Sequence, residues 1–154
     1  MNKRIKLLIV EDEPDMRFFL CNLLEGCGYA TIHAGDRQDG LRKAKREKPV
    51  LIILDVMMPN EAGLQLYRDL KEDLRLKSIP VIMVSSVGKN TFLQYQRSYC
   101  TLPEADPSVP GAYLKKPLNA DELIGWVQAL TAPAPAAYPT TLRWRGWPSG
   151  SDLP

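Results

Sequence analysis

The chain has 154 residues, with 20 Lys+Arg against 18 Asp+Glu and a formal net charge of +2. Hydrophobic residues at 45% and charged residues at 25% are the proportions of an ordinary globular protein, which excludes wholesale disorder and collagen-like or low-complexity classes. The near balance of charge supplies no long-range field for a nucleic acid or an anionic membrane, so no direct nucleic-acid partner is expected and function has to come from a site.

Lys3, Arg4 and Lys6 introduce the first apolar run, Ile5–Val10, but Leu7–Val10 is only four residues long before acid begins. That is too short for a signal-peptide core or a membrane span, so a cytoplasmic protein without membrane insertion is expected. Glu11, Asp12 and Glu13 follow. Pro14 then opens a helix whose Met16, Phe19, Leu20, Leu23 and Leu24 fall at helical spacing, with Gly26 and Gly28 closing it. Tyr29–His33 is the second candidate strand, and Asp36–Lys48 the second helix. That helix places Leu41 and Ala44 inside and Arg42, Lys43, Lys45, Arg46 and Lys48 outside, a basic run that reads as a solvated face. Val50–Leu54 is a continuous apolar strand ending on Asp55. Leu64, Leu66, Tyr67 and Leu70 then mark a third helix.

Val81–Val84 is the fourth strand, followed by Ser85 and Ser86. Pro103, Pro107 and Pro110 forbid a continuous helix across residues 86–111, which leaves at most Thr91–Leu102 helical. Ala112–Leu114 is the fifth strand, followed by Lys115, Lys116 and Pro117. Asn119 with Glu122 three residues on is a capping-box pattern for a last helix whose inner stripe is Leu123, Trp126, Val127 and Leu130. Four of the 13 prolines lie in residues 1–102 and nine in 103–154. The expected domain is therefore 1–130, followed by a Pro-rich linker and tail over 131–154, too short to bury a core of its own. Cys21, Cys27 and Cys100 are odd in number and lack C-x-x-C spacing, so they read as reduced, buried thiols.

Five strand–helix alternations with continuous apolar strands predict a five-stranded parallel sheet covered on both faces, with its site at the carboxyl ends of the strands. Those ends carry Glu11–Glu13, Asp55, Ser85 with Ser86, and Lys116. Two bare carboxylates about 4 Å apart repel by about 4 kcal/mol at an effective dielectric of about 20, so Asp12 and Asp55 in one cleft call for positive charge. Oxygen ligands without His or Cys favour magnesium, which commonly takes one or two carboxylates together with phosphate oxygens. Taken singly, the pieces have blander uses: acid at a helix N-terminus, serine in a turn, lysine on the surface. Asp55 is the exception, because an ionisable group ending so apolar a strand is costly without a partner.

In this order, LLIVEDE (Leu7–Glu13), LIILDVMMP (Leu51–Pro59) with Gly63, PVIMVSS (Pro80–Ser86) and YLKKP (Tyr113–Pro117) resemble the receiver domain of two-component response regulators, single-domain chemotaxis receivers included. The resemblance covers residues 3–130. It implies a three-layer, doubly wound, flavodoxin-like α/β fold with strand order 2-1-3-4-5, here with an irregular fourth-helix region. It implies that Asp55 accepts a phosphoryl group from a histidine kinase or a histidine phosphotransfer protein and passes the signal to a further protein, without being an enzyme in its own right. Asp12, Asp55 and the backbone carbonyl of Met57 would hold Mg2+, with Glu11 acting through water. Lys116, Ser85 and the Ser86 amide would hold the phosphoryl oxygens. Tyr113 would be the aromatic switch, turning in as Ser85 is drawn inward.

Three other readings compete. A cofactor binder of the same architecture needs a Ser/Thr/Gly phosphate cradle where Glu11–Glu13 stand. An aspartyl phosphatase needs a carboxylate where Met57 stands. A phosphorylation-independent interaction module is suggested by the departures in 86–111, the region that usually forms the output surface. Met57 and Val87 are apolar where the family tunes hydrolysis, and this predicts slow self-dephosphorylation. The final Arg143-Trp-Arg-Gly-Trp147 reads as a docking motif or as a mere tail.

Overall fold

The computed structural model describes residues 4–88, 91 and 111–132. Five strands, β1 (Lys6–Val10), β2 (Ala30–Ala34), β3 (Leu51–Asp55), β4 (Val81–Ser85) and β5 (Ala112–Lys115), pair in parallel in the order β2-β1-β3-β4-β5. The α-helices α1 (Pro14–Gly26), α2 (Arg37–Glu47), α3 (Ala62–Glu72) and α4 (Ala120–Thr131) lie among the described residues, with a short 3-10 turn at Pro59–Glu61. This is the doubly wound parallel fold expected from the sequence.

Strand alternation sorts the core into two layers, because successive side chains point to opposite faces. Leu7, Ile9, Leu51, Ile53, Ile82, Val84, Ala112 and Leu114 pack with Leu20 and Leu24 of α1 and with Leu123, Val127 and Leu130 of α4. Leu8, Val10, Ile52, Leu54, Val81, Met83 and Tyr113 pack with Ala44 of α2 and with Leu64, Leu66, Tyr67 and Leu70 of α3. The three inner strands are buried on both faces, which is why their sequences run apolar without interruption. Edge strand β2 is only partly covered and exposes His33.

The helix ends follow local chemistry. Pro14 occupies the first turn of α1, where its missing N–H costs nothing, and Asp15 complements the helix dipole. Asp36 Oδ1 caps α2 by accepting from the Asp39 amide at 2.8 Å. Asn119 Oδ1 caps α4 by accepting from Glu122 N at 3.0 Å, as the capping-box spacing predicts. Tyr29 Oη and Thr131 Oγ1, 3.2 Å apart, tie the end of α4 to the start of β2.

Some expectations need correction. Phe19, placed on the inner stripe of α1, is 46% exposed, and Val50 lies outside β3 on the surface. Cys27 is exposed and Cys21 half-buried, so neither is the buried thiol anticipated. Of the helix expected over Thr91–Leu102 only Thr91 is among the described residues; the rest of that helix, Cys100, the prolines at 103, 107 and 110, and the tail from 133 onward lie outside them. No described helix is long and apolar enough to cross a membrane.

Candidate functional site

The register brings the strand ends level. Val10 lies opposite Leu54, Asp55 opposite Val84 and Ser85 opposite Lys115, so the residues that end β1, β3, β4 and β5 meet along one edge of the sheet. Alternation then divides them: Glu11, Asp55 and Lys116 continue the α1/α4 side, whereas Ser85 and Tyr113 continue the α2/α3 side.

Asp55, the last residue of β3, is 5% exposed. Its Oδ1 accepts from the Met57 amide at 3.0 Å, and its Oδ2 lies 3.4 Å from Lys116 Nζ. Glu11 is 2% exposed, with Oε2 accepting from Lys116 Nζ at 3.0 Å and Oε1 from the Glu13 amide at 3.4 Å. Asp12 is exposed at the mouth. Carboxylate oxygens of Glu11, Asp12 and Asp55 lie within 4.8 Å of one another. Burial first, and the Asp55 carboxylate second, push Glu11 up to about 7 against the pull of Lys116. Burial alone would lower the Lys116 ammonium, but hydrogen bonding and charge from Glu11 and Asp55 together outweigh it and raise it. An all-oxygen set of three carboxylates beside a single ammonium leaves excess negative charge at the mouth, which fits a small hard cation.

Two features of the backbone shape the cleft. Lys116 N donates to Ser85 O at 2.7 Å, which fixes the lysine against the end of β4. Gly63 lets α3 approach the end of β3: a Cβ there would lie 2.3 Å from Asp55 O and 2.6 Å from Val56 Cα. Between them, Asn60 and Glu61 take the left-handed region at φ 59 and 58, turning the chain from β3 into α3.

Ser85 is fully buried, and its Oγ accepts from the Val87 amide at 3.1 Å; Ser86 is exposed. Tyr113 is 8% exposed and donates its hydroxyl to Val87 O at 2.8 Å. The ring thus lies inward, in the α2/α3 layer. Met57, two residues after Asp55, is 39% exposed, and Val87 is half-buried against the α2/α3 layer. Sequence reasoning missed Arg17. Its Nη1 donates to Glu11 O at 2.9 Å, and the available signal was a cation one turn past an acidic trio.

A doubly wound α/β domain with two buried carboxylates, an exposed third and a lysine converging at the carboxyl edge is built as a signalling receiver. The chain belongs to the response regulator receiver domain family, whose model matches residues 7–100. Protein PilH of Pseudomonas aeruginosa is 30% identical over 129 residues, which cover 82% of this chain and 98% of PilH. The phosphate regulon transcriptional regulatory protein PhoB of Escherichia coli is 30% identical over 125 residues; the match covers 81% of this chain and about half, 51%, of PhoB. Among solved structures, Vibrio cholerae chemotaxis protein CheY4 superposes with a TM-score of 0.67 at 25% identity, over 83% of this chain and 99% of CheY4. The signal receiver domain of a signal transduction histidine kinase from Syntrophus aciditrophicus does so with a TM-score of 0.67 at 30% identity, over 82% of this chain and 89% of that one.

Proposed function

We propose that this receiver takes a phosphoryl group onto Asp55 from the phosphohistidine of a sensor histidine kinase or histidine phosphotransfer protein, and passes the signal to a further protein. The observation that carries this reading is the buried Asp55 carboxylate, held by the Met57 amide through Oδ1 and facing Lys116 and the other two acids. In the step proposed, a carboxylate oxygen of Asp55 attacks phosphorus; the O–P bond forms as the P–N bond to imidazole breaks, and the leaving nitrogen takes up a proton. Such transfers depend on positioning and on neutralising charge over the transferred oxygens. Lys116 supplies positive charge beside Asp55, and Ser85 Oγ, which here accepts from the Val87 amide on the α2/α3 side, would turn toward the phosphoryl group to bond it together with the Ser86 amide. Asp12, Asp55 and the Met57 carbonyl would hold Mg2+, with Glu11 acting through water; when bound, the ion neutralises charge on the acceptor and on the phosphoryl oxygens. The protein accepts and holds the group and does not turn over a substrate.

Incubation with a small phosphodonor and Mg2+ tests the reading. One phosphoryl group per chain is expected, lost in Asp55→Ala and on chelation of the metal. A folded wild-type chain that takes no label would sink the reading and leave a phosphorylation-independent interaction module.

A further inference from the structure

We infer that Arg17 is a positioning residue for the cation side of this site, acting through the Glu11–Asp12 peptide, and that Gly35 is the gap that admits its guanidinium. The inference rests on the reading of the site given above. Glu11 is tied at both backbone groups: its N–H donates to Ala34 O at 3.0 Å, and its carbonyl accepts from Arg17 Nη1 at 2.9 Å. That carbonyl shares a rigid plane with the Asp12 nitrogen, so the guanidinium sets the direction in which the chain enters Asp12. Arg17 is itself anchored in the first turn of α1, where its N–H donates to Glu13 O at 3.0 Å. Arg17 thus holds the Glu11–Glu13 loop at both ends, through its backbone N–H at Glu13 and its guanidinium at Glu11.

Gly35, directly after β2, faces this contact. A Cβ there would lie 2.9 Å from Arg17 Nη1, 3.7 Å from its Cζ and 4.0 Å from Glu11 O. Its φ lies outside the left-handed region, so Gly35→Ala adds crowding without backbone strain. The flexible arginine head yields before the backbone does.

Charge and positioning predict opposite signs here. As a bare charge, Arg17 repels a cation held by the neighbouring acids, so its removal tightens Mg2+ binding. As a positioning residue, its removal frees the Glu11–Asp12 peptide and weakens binding; loss of outer supports of metal ligands commonly costs on the order of 10-fold or more in affinity. The experiment is an Mg2+ titration of the full chain followed by amide chemical shifts, with urea midpoints measured on every variant. We expect about 10-fold weaker binding in Arg17→Ala and a smaller loss in Gly35→Ala, which keeps the charge. The double variant is expected to be no weaker than Arg17→Ala alone, and Arg17→Lys to recover part of the affinity. Unchanged or tighter binding in Arg17→Ala overturns the inference while leaving the function standing. If Arg17→Ala does not fold, Gly35→Ala decides in the same way. A wild-type chain that binds no Mg2+ overturns both.

Discussion

The Lys116 ammonium stands 3.0 Å from the Glu11 carboxylate, a residue 105 positions earlier in the chain, and nearer to it than to Asp55 at 3.4 Å. The lysine is thus shared between two buried acids, and one positive charge does not balance both. The imbalance falls on Glu11, which burial and Asp55 push up to about 7.

A pH dependence of stability follows. The folded chain holds a proton on Glu11 across a window in which the unfolded chain, at the ordinary value of 4.5, has released it. The folded state then binds more protons, so this group's contribution to stability falls as pH rises from about 4.5 to 7. Urea unfolding at several pH values with chelator present checks this. Glu11→Gln is expected to flatten the fall relative to wild type. The difference between the two chains isolates Glu11 from Asp39 and Glu47, which salt-bridge hydrogen bonds hold below their ordinary values.

Loss of phosphate from Asp55 is expected to be slow. Hydrolysis needs a water held in line with the phosphorus, and neither Met57 nor Val87 offers it a hydrogen bond. Met57→Asn and Val87→Glu place polar groups there and should each speed dephosphorylation by at least several-fold; a carboxylate or amide that orients an attacking nucleophile commonly contributes about 10²-fold. The decay of labelled protein in magnesium buffer after donor removal is the measurement. Wild-type decay as fast as that of the variants would show that the apolar pair has no such effect.

Gly63 joins stability to chemistry. An alanine Cβ at 2.3 Å from Asp55 O cannot be accommodated without moving α3 or the end of β3. Overpacking of this kind costs about 1–3 kcal/mol, and backbone atoms yield less readily than side chains. Gly63→Ala should lower the urea midpoint by that order and slow labelling of Asp55 in the fraction that remains folded. A variant with wild-type midpoint and labelling rate would show that the approach is not tight.

What the sequence made legible, and what it hid, divide along physical lines. The parallel sheet and the meeting of Glu11, Asp55 and Lys116 at its carboxyl edge follow from apolar runs with charged residues after them, whereas the order β2-β1-β3-β4-β5 is implied by the resemblance to receiver domains and not by any local pattern. The inward placement of Leu64, Leu66, Tyr67 and Leu70 follows from helical spacing in the same way. Phe19 failed because spacing marks a stripe without saying how wide a neighbour covers it; α1 is buried along Leu20 and Leu24, and the flanking Phe18 and Phe19 stay exposed. Glu61 and Lys48 adopt positive φ although neither residue type favours it, so nothing in their chemistry signalled those turns, whereas Asn60 is of a type that tolerates the left-handed region. The place of Arg17 one turn past the acidic trio was visible, but its partner was not, because a backbone carbonyl leaves no mark on the sequence.

Tyr113 supplies the last prediction. Its ring is buried and its hydroxyl, bonded to Val87 O at 2.8 Å, bridges β5 to the loop after β4. In this structure the ring already faces inward, packed in the α2/α3 layer. Phosphorylation of Asp55 should therefore leave the solvent exposure of Tyr113 nearly unchanged. Signalling would then be carried by the Ser85–Val87 segment, whose Ser85 Oγ and Val87 amide are bonded at 3.1 Å. Tyr113→Phe removes the hydroxyl and keeps the ring, so it should cost about 1 kcal/mol of stability through the lost hydrogen bond. Labelling of Asp55 should be unaffected. Selective labelling of tyrosine rings for NMR, before and after phosphorylation, reads the exposure directly. A large change at Tyr113 would restore the ring as the moving part and leave the Val87 bond as the latch it breaks.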